Sequence, residues 1–500
     1  MKVDIKSTRK DVFVMSKATD YTGFELQWID GRWITGSDSR HINHDINPYD
    51  QTELLQIQGA SRSDVDRAYK SAEKNQTEWA RDPSLRMKVL ENVLLVMKNR
   101  RDEIIDWLIH ESGSTRIKAQ VEWELAYHIT ERSVHYPLEA EGRIVPSIFP
   151  GQSSYVYREP VGVIGIISPW NVPLHLTMRS LAPALALGNT AVLKPASNTP
   201  VTGGLLCGKI FEEAGLPAGV LHVIVGAGNV IGDYFVEHPI PSFISFTGSS
   251  AVGREIGIKA MSGARIKRVA LELGGNSPFV VLDDADIDLA VSSAIAGKFF
   301  HNGQICMSTN RIIADKKIHD ELVEKLVKAA QELKAGDPSL PDTDIGPIID
   351  KTQVLAIEEK IKNAIAGGAD LLLGGKTSGQ IIPPHILDHV HPSSSIVKEE
   401  IFGPVLPIIT ARDETEALRL ANDTDYGLSS VVFTRNMERG LHFARKIRAG
   451  MTHINGSSVN DQVNAPFGGE KNSGTGRFNG HWIMDEFTRL HWITYQSTAL

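Results

Sequence analysis

Val161-Gly162-Val163-Ile164-Gly165-Ile166-Ile167-Ser168 and Asn189-Thr190-Ala191-Val192-Leu193-Lys194-Pro195-Ala196 are the two runs whose reading decides the fold. Each is short, apolar and rich in β-branched residues, and each ends in a turn former, which predicts buried strands. The first is far too short to span a bilayer. GVLHVIVGAG (219–228), SFISFTGS (242–249) and RVALELGG (268–275) repeat the pattern, with helix-period stretches such as VTGGLLCGKIFEEAG (201–215) between them. This strand–loop–helix traffic predicts an α/β architecture with parallel sheets, including a doubly wound, Rossmann-like nucleotide-binding domain. Upstream, 63–100 reads as helices with Ser61 or Ser63 as the N-cap. Downstream, 318–333 and 354–369 read as amphipathic helices. The terminal LHWITYQ (490–496) alternates like a strand and needs a partner, expected in an intersubunit arm with Ser153–Arg158.

At 500 residues the chain is too long for one core, so two or more domains are expected. A net charge of −8 argues against a nucleic-acid partner. Met1–Asp20 lacks an apolar segment and mixes acids with bases, unlike a secretory leader, so a cytoplasmic location and no membrane association are the default. Two cysteines, Cys207 and Cys306, exclude a disulfide framework and a cysteine-built zinc site, and nothing else calls for a metal. Cys207, in GGLLCGKIF, reads as a small buried hydrophobe.

Several segments carry chemistry. GAGNVIG (226–232) has the spacing G-x-G-x-x-x-G, which departs from the dinucleotide fingerprint and reads as a strand-to-helix turn. Phe246–Gly253 (FTGSSAVG) is the better phosphate candidate, because it follows a strand and opens a helix whose N–H groups are free for an anion. It lacks the lysine of a P-loop. Cys306 lies in HNGQICMSTNR, a turn-forming context suited to an accessible nucleophile. Glu272, at a strand end among apolar neighbours, reads either as a base of raised pKa or as a salt-bridged structural acid. Asn171, in SPWNVP, reads either as an oxyanion donor or as an Asx-turn residue.

In order along the chain, SPWNVP, LKPASNTP, FTGSSAVG, LELGGNSP, GQICMSTNR, EEIFGPV and APFGGEKNSGTGR resemble the aldehyde dehydrogenase superfamily from about Trp28 to the C-terminus. The resemblance implies a cofactor-binding domain from 20–141 and 161–274, a catalytic α/β domain from 275–474, and a β oligomerisation arm from 142–160 and 475–500. It also implies assembly as a homodimer or homotetramer. Cys306 then matches the nucleophile, Glu272 the general base and Asn171 the oxyanion donor. NAD or NADP would lie on Trp170, Lys194, Ser197, Gly248, Ser249, Gly253, Leu273, Glu400 and Phe402. Lys194 and Ser197 match the adenosine-ribose region, and Glu400 the carboxylate at the nicotinamide ribose. Ser197 stands where strict NAD users often have Glu, so use of both NAD and NADP is expected.

Val172, Arg179, Phe300 and Met307 would line the pocket for a small aldehyde. FFHNGQICMSTNR and NVPLHLTMRSLAPALALGN are most similar to bacterial benzaldehyde and vanillin dehydrogenases, although Trp170-Asn171-Val172 departs from that group's Phe-Asn-Phe. Succinate-semialdehyde dehydrogenases are the rival. Arg179 matches one of their carboxylate anchors, but Phe300 replaces the other, and an aromatic wall suits an aromatic substrate. Arg179 is alternatively a structural ion-pair partner. A coenzyme A-acylating enzyme is disfavoured by Glu272, and a catalytically silent relative by the joint presence of Cys306, Glu272, Asn171, Lys194 and Glu400. Cys306→Ala is expected to abolish aldehyde oxidation while preserving cofactor binding, and Cys207→Ala to leave kcat within a few-fold; steady-state assays of both variants check this.

Overall fold

The computed structural model describes residues 19–497. Nearly all of the N-terminal stretch read for a leader, 1–18, lies outside the described residues. Two large sheets dominate. Across the first, the strands run Arg32–Ile34, Gln27–Ile29, Leu221–Val223, Thr190–Lys194, Val163–Ile167, Phe243–Thr247, Arg268–Glu272 and Gly474–Thr475. The five central strands are parallel, and antiparallel pairs form both edges. Taken in chain order, the five run 3-2-1-4-5, so the winding reverses between Val163–Ile167 and Phe243–Thr247. A crevice opens at such a reversal, outside the carboxyl ends of the strands.

These strands are continuous apolar runs because helices cover both sheet faces. One of those helices, Pro173–Ala186, is buried along its whole length. The paired helices expected upstream are Arg62–Arg81 and Pro83–Asn99. Ser61, not Ser63, caps the first, with Asp64 closing a capping box. Cys207 is fully buried in the helix Leu206–Glu213, as expected of a small hydrophobe. GAGNVIG leads into a π-helical turn, Gly228–Gly232, and the short helix Asp233–Glu237.

The second sheet runs Asp370–Leu373, His385–Asp388, Val405–Ala411, Thr309–Asp315, Ser277–Val281, Val431–Phe433 and His453–Ile454, all parallel except the first pair. A third sheet joins Arg143–Ile144, Gln152–Pro160 and Thr488–Gln496. SSYVYR and HWITYQ therefore pair as expected, with Ser153 opposite Tyr495 and Tyr157 opposite His491, but they do so within one chain. The intersubunit pairing expected between them is corrected accordingly: the chain returns to its own middle segment, and Thr488–Gln496 becomes the edge strand of that sheet. Sequence reading also passed over the strands before residue 60. These are the edge pair Gln27–Ile29 with Arg32–Ile34, and the ribbon Asp38–Ile46 with Glu53–Gly59. No helix among the described residues is long and apolar enough to cross a membrane.

Candidate active site

The carboxyl end of Val163–Ile167 leads through Ser168-Pro169-Trp170 to Asn171, and Pro173 then starts the buried helix in the first-turn position that proline favours. Asn171 is buried, and its Nδ2 donates to the Gln304 carbonyl at 2.8 Å. That bond fixes the plane of the amide and leaves a second N–H for another acceptor. Glu272 is the last residue of its strand. Gly274 and Gly275 follow because side chains have no room there. A Cβ on Gly274 would meet the Glu400 carboxylate, and one on Gly275 would collide with the Cys306 carbonyl oxygen.

Cys306 sits in the turn between Phe300–Gly303 and the strand Thr309–Asp315. Three successive left-handed residues lead into it, His301 (φ 50°), Asn302 (φ 57°) and Gly303 (φ 72°). The Asn302 amide holds this bend, donating to the Gly346 and Pro347 carbonyls at 2.9 and 2.8 Å and accepting from Gly346 N–H at 3.0 Å.

Two cavities meet at Cys306 and Asn171, both of which line each of them. The first, of about 500 Å³, is lined by Trp170, Gly248, Ser249, Leu273, Glu400 and Phe402 among others. Trp170 and Phe402 meet edge to face at 5.4 Å between ring centroids. Ser249 caps the helix Ser250–Ser262, and Gly253 in its first turn packs against Leu273. Glu400 accepts from Gly275 N–H at 2.8 Å. Of the Lys194–Ser197 segment, Ala196 lines the cavity. Lys194 is buried with its ammonium on the Pro195 carbonyl, and the half-buried Ser197 accepts through its carbonyl from Asn43 Nδ2 at 3.0 Å. Gln353 and Lys360 also line this cavity. Sequence reading saw their helix, Lys351–Ala366, only as amphipathic, and no motif marks them.

The second cavity, of about 390 Å³, contains all four expected pocket residues, Val172, Arg179, Phe300 and Met307. Arg179 is fully buried and already engaged. Its Nη1 bonds Asp461 Oδ2 at 3.3 Å, Nη2 lies 4.0 Å from Glu272, and the guanidinium stacks 4.0 Å over Phe467. Asp461 also accepts from His175 Nε2 at 2.9 Å and Asn479 Nδ2 at 2.7 Å. His175 and Asp461 were missed in sequence: one sits in the first turn of the buried helix, the other in an irregular polar loop.

Burial shapes the electrostatics. The Glu272 carboxyl is pushed up to about 8 by burial, partly offset by Arg179 and then Arg477, and neither oxygen has a hydrogen-bond partner among the described residues. Burial likewise raises the Cys306 thiol to about 12, with Arg179 opposing and Glu272 and Glu400 reinforcing. Glu400 rises to about 7, and Lys194 falls to about 8, again through burial. Burial thus favours the neutral forms of the Cys306 thiol and the Glu272 carboxyl, and Arg179 is the cation that opposes it at both.

The aldehyde dehydrogenase family pattern matches residues 33–493. The chain belongs to that family. A vanillin dehydrogenase of Corynebacterium glutamicum is 49% identical over 466 residues, covering 93% of this chain and 96% of the relative. The structure of an NAD-dependent benzaldehyde dehydrogenase from the same species superposes with a TM-score of 0.88 at 46% identity, covering 95% and 97% of the two chains. A salicylaldehyde dehydrogenase from Pseudomonas putida, solved with salicylaldehyde, gives 0.92 at 37% identity and 95% and 98% coverage.

Gly275→Ala is expected to lower kcat by about 10- to 100-fold through displacement of the Cys306 backbone. Gly257→Ala, whose Cβ would meet nothing closer than 3.7 Å, is expected to leave kcat unchanged; steady-state assays of the two variants make the comparison.

Proposed function

We propose that this family member oxidises aromatic aldehydes of the benzaldehyde and vanillin kind to carboxylic acids, with NAD, through a thioester on Cys306. The observation that carries the reading is the meeting of two cavities at Cys306 and Asn171. The first fits a dinucleotide. It offers the N-terminus of the helix Ser250–Ser262 to a pyrophosphate, the Glu400 carboxylate to a ribose, and Trp170 and Phe402 as ring edges. Bound there, NAD would accept the hydride lost by the aldehyde carbon. The second is apolar around Phe300 and Met307, and its one guanidinium is committed to Asp461. That favours an aromatic ring over the carboxylate of a semialdehyde. The names of the relatives, a vanillin, a benzaldehyde and a salicylaldehyde dehydrogenase, support the same substrate class.

In this mechanism the Cys306 thiol, partly exposed where the two cavities meet, gives its proton to solvent water, and Sγ attacks the aldehyde carbon. The oxyanion so formed takes hydrogen bonds from the free N–H of Asn171 Nδ2 and from the Cys306 backbone N–H. Loss of hydride from carbon leaves the thioester. Glu272, as carboxylate, takes a proton from water, the hydroxide adds to the thioester carbonyl, and the acid departs as the thiol is restored. Among the described residues no group hydrogen-bonds the Glu272 carboxyl, which leaves both its oxygens for a water.

Ser197, one residue beyond the cavity-lining Ala196, would offer a neutral hydroxyl rather than a carboxylate to the adenosine ribose and leave NADP unrepelled, so we read the enzyme as using both dinucleotides. We also infer assembly as a homodimer or homotetramer through the third sheet, whose terminal strand carries Leu490, Trp492 and Tyr495 at 65, 68 and 64% exposure. The domain division 20–141 with 161–274, 275–474, and 142–160 with 475–500 follows the same reading. A cytoplasmic setting accords with two free cysteines.

A kcat/KM panel with NAD and NADP tests the substrate. Benzaldehyde is expected to exceed succinate semialdehyde by one to two decades, roughly the worth of one lost charge-assisted contact. Preference for the semialdehyde over every aromatic compound would return Arg179 to the role of anchor. The base has its own signature. Because burial places Glu272 near 8, its carboxylate form grows as pH rises toward that value. Hydrolysis-limited kcat is then expected to climb about ten-fold per unit below it. Glu272→Gln is expected to keep a rapid burst of NADH and lose both the steady-state rate and its pH dependence, as followed by stopped-flow absorbance.

A further inference from the structure

The helix Pro173–Ala186 begins immediately after Asn171, yet Val172 at its N-cap has no side chain able to cap it. Its first N–H groups are buried and need acceptors. Glu122, on the neighbouring helix Arg116–Ser133, supplies one: Oε1 accepts from Leu174 N–H at 2.8 Å and His175 N–H at 3.3 Å. One turn earlier on the same face of that helix, Lys118 reaches the same loop. Its ammonium donates to the Asn171 carbonyl at 2.8 Å, to Ser114 Oγ at 2.8 Å, and to the second oxygen of Glu122. Lys118 and Glu122 are each 1% exposed.

We propose that Lys118 and Glu122 are positioning residues for the oxyanion amide: together they clamp the backbone from the Asn171 carbonyl to the His175 N–H and so set where the Asn171 Nδ2 points. The inference rests on the reading of Asn171 as oxyanion donor. An ammonium has three donors, and all three of Lys118's are spent, so it has none left for a substrate carboxylate although it lines the aldehyde cavity. Stability does not account for the pair either. A buried ion pair is commonly neutral or worse for stability than an apolar replacement, whereas removing one partner leaves the other charge buried and unpaired. What the pair does supply is geometry. Lys118 holds the Asn171 carbonyl, Glu122 holds the next two free N–H groups, and the Gln304 carbonyl holds the side-chain amide itself. The loop of Asn171 is thereby fixed by three residues on two elements, the helix Arg116–Ser133 and the turn that carries Cys306.

The test is a double-mutant cycle on single-turnover NADH formation with saturating NAD and benzaldehyde, using Lys118→Met, Asn171→Ala and the double variant. The dissociation constant for NADH is measured on each as the check of fold. Asn171→Ala is expected to slow the step by about 100-fold or more. Lys118→Met is expected to slow it by about 10- to 100-fold with NADH affinity unchanged. The double variant is expected to be no slower than Asn171→Ala alone, because Lys118 acts through that amide. Glu122→Gln, which keeps the length and an oxygen acceptor, runs through the same cycle as a second arm should Lys118→Met fail to fold, with a smaller loss that also vanishes in the Asn171→Ala background. Losses that multiply in the double variants, or a single variant at the wild-type rate beside a slow Asn171→Ala, overturn the proposal alone. A wild-type rate in Asn171→Ala overturns the oxyanion reading and the proposal with it.

Discussion

The contact between the backbones of Gly275 and Cys306 is the constraint around which the molecule is arranged. No side chain fits between them: a Cβ on Gly275 would occupy the position of the Cys306 carbonyl oxygen. Through this approach the end of the strand Arg268–Glu272, in the first sheet, delivers Glu272 to the turn that carries Cys306 at the start of a strand in the second. Gly274 does the same for Glu400, whose carboxylate then reaches Gly275 N–H. Two sheets with separate cores thus share one reacting atom, and the left-handed run His301–Gly303 is the local strain that lets the chain turn into that position.

Burial around this contact governs the chemistry as much as the identity of the groups does. Burial makes Glu272, Glu400 and Cys306 all hold their protons more tightly than in water. Arg179 is the cation that opposes this at both the thiol and the base, and it is kept in place by Asp461 and by the face of Phe467. A group that would read as a substrate anchor from its spacing alone is therefore part of the electrostatic frame.

Much of this was legible in the sequence because its causes are local. The apolar runs at 161–168 and 189–196 became parallel central strands, and turn formers placed Asn171, Gly248 and Glu272 at strand ends. Cys306 was distinguishable from Cys207 by its neighbours, and the two do sit in a turn and in a buried helix. What escaped depends on contacts distant in the chain. Asp461 meets Arg179 across 282 positions, and Lys118 meets the Asn171 carbonyl across 53. Neither carries a local pattern. The terminal strand and its partner segment Ser153–Arg158 were both legible, but they pair within one chain, and no periodicity specifies whether a ladder closes within a chain or between two.

The division of the site into two chambers also has a bearing on how such enzymes diversify. The dinucleotide side is built on sheet ends and a helix N-terminus, where a change of residue disturbs the backbone that carries Cys306. The aldehyde side is walled by side chains, Phe300, Met307 and Val172 among them, that face a separate void. Yet Phe300 opens the bend that leads to Cys306, Met307 follows it and Val172 follows Asn171, so a substitution that reshapes the guest's room also bears on the turn that carries the sulfur.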